Sequence, residues 1–217
     1  MMLRALLVDL DETLYHPETG MLPAGDRTLN RYLAEFLDIT VEEADELRVR
    51  LTVEYGTTAA GAEAEFGLPQ RECYAGSVEQ VEASRYLAPD PGLDAMLAAI
   101  PAQLYVFTNA TLSYSEGVLK ALGVERHFER IFDVEFCGWR PKPAAEAYAR
   151  VLAEVGLPAE EVGMVEDNAV NIIPARELGM TTFLLRQEHE AADYTLPSIL
   201  DLHAVLREEG LCFVEAE

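Results

Sequence analysis

Five short, largely apolar runs, at positions 3–8, 104–107, 131–136, 162–165 and 181–185, set the terms on which this chain can fold. Their hydrophobicity does not alternate, which is the pattern of a strand covered on both faces. A strand with one wet face would instead place a polar side chain at every second position. Between the runs lie segments with readable helix ends. Ser113 and Glu116 have the S-x-x-E spacing of a capping box, and Gly123 would stop the helix that follows. Pro143 and Pro158 sit where first helical turns would begin, and Gly179 closes the stretch NAVNIIPAREL. Strand alternating with helix predicts an α/β fold on a doubly wound parallel sheet.

Residues 22–89 break that rhythm. They contain no segment with a strand pattern and several with a helical one: RTLNRYLAEFL, then VEEADELRVRLTVEY behind a Thr40–Glu43 capping box, then SVEQVEASRYL behind Ser77 and Gln80. Nearly seventy residues without a strand are more than a connection needs. The expectation is a helical cap, residues 16–89, inserted after the first strand of a core formed by 1–15 and 90–217. It would stand over the carboxyl ends of the strands, where open α/β sheets bind ligands. A chain of 217 residues accommodates one such core and one accessory unit.

Charge narrows the partners. With 16 Lys and Arg against 39 Asp and Glu, the formal charge is −23, which repels nucleic acid polymers and anionic membrane surfaces. A small anionic substrate needs a local cation to overcome that field. Cys73, Cys137 and Cys212 form no paired motif, so neither a disulfide framework nor a zinc site is expected, and a reducing cytoplasm fits. Asp9 and Asp11 interrupt the first apolar run before it could act as a signal or span a bilayer.

The candidate chemistry lies at the strand ends. Asp9, Asp11 and Thr13 follow the first run; if strand geometry continues, the two aspartates share a face, and like charges so placed require a bound cation or a retained proton. Thr108 and Asn109 follow the second run, ahead of a helix whose free N–H groups can hold an anion. Lys142 stands between Pro141 and Pro143. Glu166 and Asp167 end the fourth run, with Asn171 on the helical face of Asp167 if helix has begun.

In this order the segments DLDET, FTN, the lysine of RPKP, and VEDNAVN resemble the four motifs of the haloacid dehalogenase-like superfamily. DLDETLYHPETGMLP, LNRYL, VEYGTT and NIIPARELGM further resemble its pyrimidine 5′-nucleotidase branch. The resemblance implies a phosphomonoester hydrolase in which Asp9 is the nucleophile that forms an aspartyl phosphate and Asp11 the general acid and base. It implies Mg²⁺ held by Asp9, the main-chain carbonyl of Asp11 and Asp167, and phosphoryl oxygens bound by Thr108, Asn109 and Lys142. Members that cleave carbon–halogen bonds lack a carboxylate at the position of Asp11. Two residues depart from the usual pattern: Glu166 stands where the branch has a second aspartate, which implies an altered water-mediated metal contact, and Asn171 where the superfamily is often acidic.

The substrate implied by the branch is a nucleoside monophosphate of the UMP or CMP type. Tyr55 would stack on its base, Gly56 would allow close approach, and Thr57 or Thr58 would bond base or sugar edges. Phosphoglycolate or sugar phosphates are the alternative substrates, and a phosphomutase the alternative reaction. A receiver-type phosphoaccepting domain shares acidic residues, Thr and Lys at strand ends, but has no use for the insertion. The four histidines lie in no ligand-like spacing, and oligomeric state is not legible.

Overall fold

The structure, a computed structural model, describes residues 2–212. Strand β1 (Ala5–Val8) leads into four helices, α1 (Met21–Leu37), α2 (Val41–Tyr55), α3 (Thr58–Phe66) and α4 (Gln70–Gly76). The chain then alternates through α5 (Pro91–Ala98), β2 (Gln103–Phe107), α6 (Leu112–Leu122), β3 (Phe128–Phe132), α7 (Ala145–Val155), β4 (Val162–Glu166), α8 (Ala169–Glu177) and β5 (Thr181–Leu185). It ends with β6 (Tyr194–Leu196) and α9 (Leu202–Glu208). The strands form one sheet in the order β3-β2-β1-β4-β5-β6, and every neighbouring pair is parallel.

That order explains the unbroken hydrophobicity. β1 lies centrally, and all four of its residues are fully buried. Leu6 and Val8 pack into a cluster with Leu93, Leu97 and Val118, while Ala5 and Leu7 pack on the opposite face with Ala147, Tyr148 and Val151. Burying each such leucine contributes about 1.5–3 kcal/mol, so both faces reward apolar residues. The chain winds outward from β1 through β2 and β3, then returns and winds the other way from β4. The crevice at the carboxyl ends of β1 and β4 is thus a topological switch point, the place where doubly wound sheets bind ligands.

The inserted helices carry a core of their own, including Leu29, Leu33, Ala44, Leu51, Ala62 and Leu68. Val134 and Trp139, from the loop after β3, join it and dock the cap on the core. The Tyr74 ring lies 6.2 Å from that of Trp139, and the Arg71 guanidinium sits 5.5 Å over the indole. At the start of α2 the expected capping box is formed: Thr40 Oγ1 accepts from the Glu43 N–H at 3.1 Å, and Glu43 Oε2 accepts from the Thr40 N–H at 2.8 Å.

Local signals misplace other elements. α6 begins at Leu112 and makes no use of a Ser113–Glu116 box; the Leu112 N–H donates instead to Asp133 Oδ2 at 3.0 Å. The end of β3 delivers that carboxylate, and a tertiary acceptor satisfies the orphan donor that a local one would have taken. SVEQVEASRYL is not a helix but two single 3₁₀ turns, Val78–Gln80 and Ala83–Arg85: the Ser77 hydroxyl donates back to the Cys73 carbonyl and makes no cap bond to the turn that follows it. The third strand covers Phe128–Phe132, earlier than its apolar run, and the three-residue β6 was too short to register. Among the described residues no helix is long and apolar enough to cross a membrane.

Candidate active site

Three strand ends and one loop converge at the switch point. The Asp9 N–H donates to the Val165 carbonyl at 2.9 Å, so the residue following β1 is held in register beside the end of β4. Lys142, from the loop between β3 and α7, reaches into the same spot. Its Nζ donates to Asp9 Oδ1 at 2.7 Å, Glu166 Oε1 at 2.6 Å and the Phe107 carbonyl at 2.7 Å, three acceptors for three N–H bonds. The lysine side chain is completely buried. On a surface this acidic a lysine is usually solvated charge, whereas here it is the ion around which the site is assembled.

The backbone of Lys142 is fixed as well. Its N–H donates to Asn109 Oδ1 at 2.6 Å, and Asn109 Nδ2 donates to its carbonyl at 3.0 Å. The close approach expected at Gly56 also serves this loop. At φ +83°, Gly56 lies where a Cβ would meet the Lys142 carbonyl oxygen at 2.9 Å, so a side chain there would press on the lysine.

Asp9, Glu166 and Asp167 bring carboxylate oxygens within 4.8 Å of one another. Burial and then Glu166 raise Asp9 well above the ordinary aspartate range, against the pull of Lys142. Burial, Glu166 and Glu12 push Asp167 up to about 7, against Arg186 and Lys142. Burial tends to lower Lys142, but Asp9 and Glu166 outweigh it and hold the ammonium above its usual range. One buried ammonium thus faces three crowded carboxylates, and hard oxygen donors under this repulsion fit a hard divalent cation of the Mg²⁺ type.

Glu166 and Asn171 are placed differently from expectation. Glu166 Oε1 accepts from Lys142 and from Asn171 Nδ2 at 2.7 Å, and Oε2 accepts from the Asn168 N–H at 2.9 Å. Asn171 therefore serves Glu166 and not Asp167: Asn168 caps α8, and the helix starts too late to carry the assumed spacing back to 167. The extra methylene of Glu166 is used to reach the lysine. Asp167 Oδ1 has Thr13 Oγ1 at 3.5 Å, and its other oxygen has Arg186 Nη2 at 3.7 Å.

Asp11 shares the cavity with Asp9, though not through strand parity. β1 ends at Val8, and the Leu14 N–H closes a turn onto the Leu10 carbonyl at 3.0 Å, with Glu12 in the left-handed region at φ 58°. This swings the Asp11 carboxylate toward two phenols. Asp11 Oδ1 accepts from the Tyr15 hydroxyl at 2.5 Å and from the Tyr114 hydroxyl at 2.8 Å. Burial raises the Asp11 carboxyl, and the two tyrosine bonds oppose that rise. Neither tyrosine belongs to the four motifs read from the sequence. The i, i+4 step from Asp11 to Tyr15 was a usable signal, but nothing local points from Asp11 to Tyr114, 103 residues away.

Asp9, Asp11, Thr108, Lys142 and Asp167 line a cavity of about 360 Å³ whose opposite wall is cap. Thr57 reaches this cavity, with its Oγ1 also accepting the Ala60 N–H at 3.1 Å as the N-cap of α3. Thr58 is buried, its hydroxyl 2.8 Å from that of Thr52. Tyr55 lies apart. It lines a neighbouring cavity of about 880 Å³ beside Trp139 and Arg140, and it is half exposed.

The family profile for haloacid dehalogenase-like hydrolases matches residues 3–179. The phosphoglycolate phosphatase of Rhodospirillum rubrum is 28% identical over 198 residues, spanning 84% of this chain and 79% of that protein. Among solved structures, CbbY from Rhodobacter sphaeroides in complex with phosphate superposes with a TM-score of 0.70 at 22% identity, covering 93% of this chain and 96% of that one. A mutant of the same protein in complex with xylulose-(1,5)bisphosphate gives a TM-score of 0.68 at 20% identity, with the same coverage of 93% and 96%. An L-2-haloacid dehalogenase from Xanthobacter autotrophicus gives 0.62 at 18% identity, covering 95% and 99%.

Proposed function

The chain belongs to the haloacid dehalogenase-like hydrolases, and on that premise we propose that it is a metal-dependent phosphatase of small phosphorylated metabolites, of the phosphoglycolate or sugar-phosphate kind. Residues 1–15 and 90–217 form the catalytic body in this reading, and 16–89 the cap. The observation that carries it is Asp11: a second carboxylate, oriented by two phenols in the cavity that holds Asp9, has a task in phosphate ester cleavage and none at a carbon–halogen bond.

Lys142 occupies Asp9 Oδ1, which leaves Oδ2 to attack phosphorus. As that bond forms and the ester P–O bond breaks, Asp11 gives its proton to the leaving oxygen. In the second half, Asp11 takes a proton from water as the water attacks the aspartyl phosphate, and Asp9 is released. Asp9, the main-chain carbonyl of Asp11 and Asp167 would hold Mg²⁺, which when bound supplies positive charge beside the phosphoryl oxygens. Thr108 binds those oxygens and the Lys142 ammonium supplies positive charge beside them, one of its three N–H bonds turning to phosphate only by leaving a present acceptor, whereas the Asn109 amide acts by fixing the Lys142 backbone. Asp9→Asn should abolish phosphate release, and EDTA should abolish it until Mg²⁺ is restored.

The pyrimidine nucleotide reading has less support. It placed a base against Tyr55, yet Tyr55 faces the neighbouring cavity, and the curated relative is a phosphoglycolate phosphatase. Phosphate release across UMP, CMP, phosphoglycolate and sugar phosphates tests the choice. A pyrimidine preference lost in Tyr55→Ala would reinstate the nucleotidase; a preference for the small metabolites, untouched by that substitution, is the expected result.

A further inference from the structure

Every cation that reaches the main cavity is already matched. Lys142 is held by Asp9 and Glu166, and the only cap cation among the described residues of its lining is Arg48. Arg48 Nη1 lies 3.2 Å from Asp26 Oδ1 and Nη2 lies 2.9 Å from Asp45 Oδ1, while Nε donates to Asn30 Oδ1 at 3.0 Å. Asn30 Nδ2 in turn donates to Asp45 Oδ1 at 2.7 Å. The guanidinium is therefore engaged at all three nitrogens and faces two carboxylates. Its side chain is 18% exposed and that of Asp26 is 33% exposed, so the pair is partly desolvated yet open to the cavity. Asp26, on α1, lines the same cavity as Asp11, and its charge adds a little to the rise of the Asp11 carboxyl.

We propose that Asp26 and Arg48 form a subsite for the hydroxyl groups of a phosphomonoester that bears no second charge. This deepens the phosphatase reading above and rests on it. A carboxylate or second phosphate entering here would meet an Arg48 already neutralised by two carboxylates, Asp26 in the cavity wall and Asp45 behind it, and would have to compete with them to gain a cation. A hydroxyl needs no such exchange, because it can donate to the free oxygen of Asp26 and accept an N–H of Arg48 at once. Of the two candidate substrate kinds, polyol and sugar monophosphates fit this wall, while phosphoglycolate and sugar bisphosphates do not. The cap thus selects by rejecting charge as much as by bonding hydroxyls.

A matched pair of substrates isolates the effect. 2-Hydroxyethyl phosphate and phosphoglycolate differ only in a terminal CH₂OH against a carboxylate, and both are assayed with the full-length enzyme and Mg²⁺. The hydroxyl compound should show a kcat/KM at least about tenfold higher, in line with one hydrogen bond to a charged group. Asp26→Asn should shrink that ratio about tenfold, mainly through KM, and Asp26→Ala should do the same. Loss of folding would lower both substrates together and leave the ratio in place, so the ratio reads the subsite and thermal unfolding reads the fold. Equal or better turnover of phosphoglycolate, or a ratio unmoved by both substitutions in folded protein, overturns the subsite alone. No turnover of either compound or of p-nitrophenyl phosphate by the wild-type enzyme overturns the phosphatase reading along with it.

Discussion

The two walls of the cavity are built on different terms. On the core side, Lys142 is sealed from solvent and bonded at every N–H, and its partner Glu166 is held further by Asn171 and the Asn168 N–H. On the cap side, Arg48 and Asp26 are paired but open, and Asp45, the third member, is more than half exposed. A group that must stabilise a developing charge benefits from a dry, preorganised setting, because its interactions are strongest there and need no rearrangement. A group that must admit one ligand and refuse another needs access and a modest energy, which side chains at the mouth supply. On the proposed reading, the strand ends carry the chemistry and the helices the choice of substrate.

Removing the central cation breaks the comparison most severely. Lys142→Met should end turnover and, by leaving Asp9 and Glu166 buried without their counter-ion, cost about 3–5 kcal/mol of stability in urea unfolding. Arg48→Met, at the partly open wall, should cost about 1 kcal/mol in the same experiment. Equal losses would show that the walls do not differ as described.

The phenols on Asp11 come next. In Tyr15→Phe with Tyr114→Phe, Asp11, the proposed general acid, loses both bonds that orient it, which matters for an alkoxide leaving group and little for p-nitrophenolate, which departs without a proton. The ratio of kcat for p-nitrophenyl phosphate to that for an alkyl phosphate should rise by about 10–100-fold. A uniform fall in both rates would leave the tyrosines only a packing role.

Smaller effects probe how the cap meets the core. Gly56→Ala places a methyl group against the Lys142 carbonyl at a positive φ, and should cost about 1–3 kcal/mol while lowering kcat more than it raises KM. Thr40→Ala removes the cap of α2, remote from the chemistry, and should cost about 1 kcal/mol with kcat unchanged. The Thr40 N–H also holds the Glu43 carboxyl below its ordinary range. A depressed carboxyl stabilises the fold above its unfolded value, about 4.3 for glutamate, and the contribution fades as pH falls through the folded value. Acid melting of the wild type and of Glu43→Gln, which removes the titrating carboxyl and leaves the Thr40 N–H in place, should therefore converge below that range. A gap that stays constant with pH would remove Glu43 from the account.

What the sequence by itself determined is whatever depends on neighbours along the chain. An apolar run that stops at Asp9, at Thr108 or at Glu166 declares both a buried strand and the group at its end, because strand polarity puts that group on one rim of the sheet. The Thr40–Glu43 box was legible for the same reason, since both partners lie within one turn. Only the tertiary structure decided which groups meet across that rim. It gave Lys142 to Asp9 and Glu166, Asp133 to the start of α6, Tyr114 to Asp11 and Asn171 to Glu166, and it turned Tyr55 away from the cavity. Each of the four pairings depends on strand order and helix phase, and no hydrophobic period or capping pattern records those. Lys142 shows the distinction in a single residue: the motif resemblance puts its charge at the phosphate near Asp9, and only the folded sheet shows it buried with Asp9, Glu166 and the Phe107 carbonyl as its three acceptors.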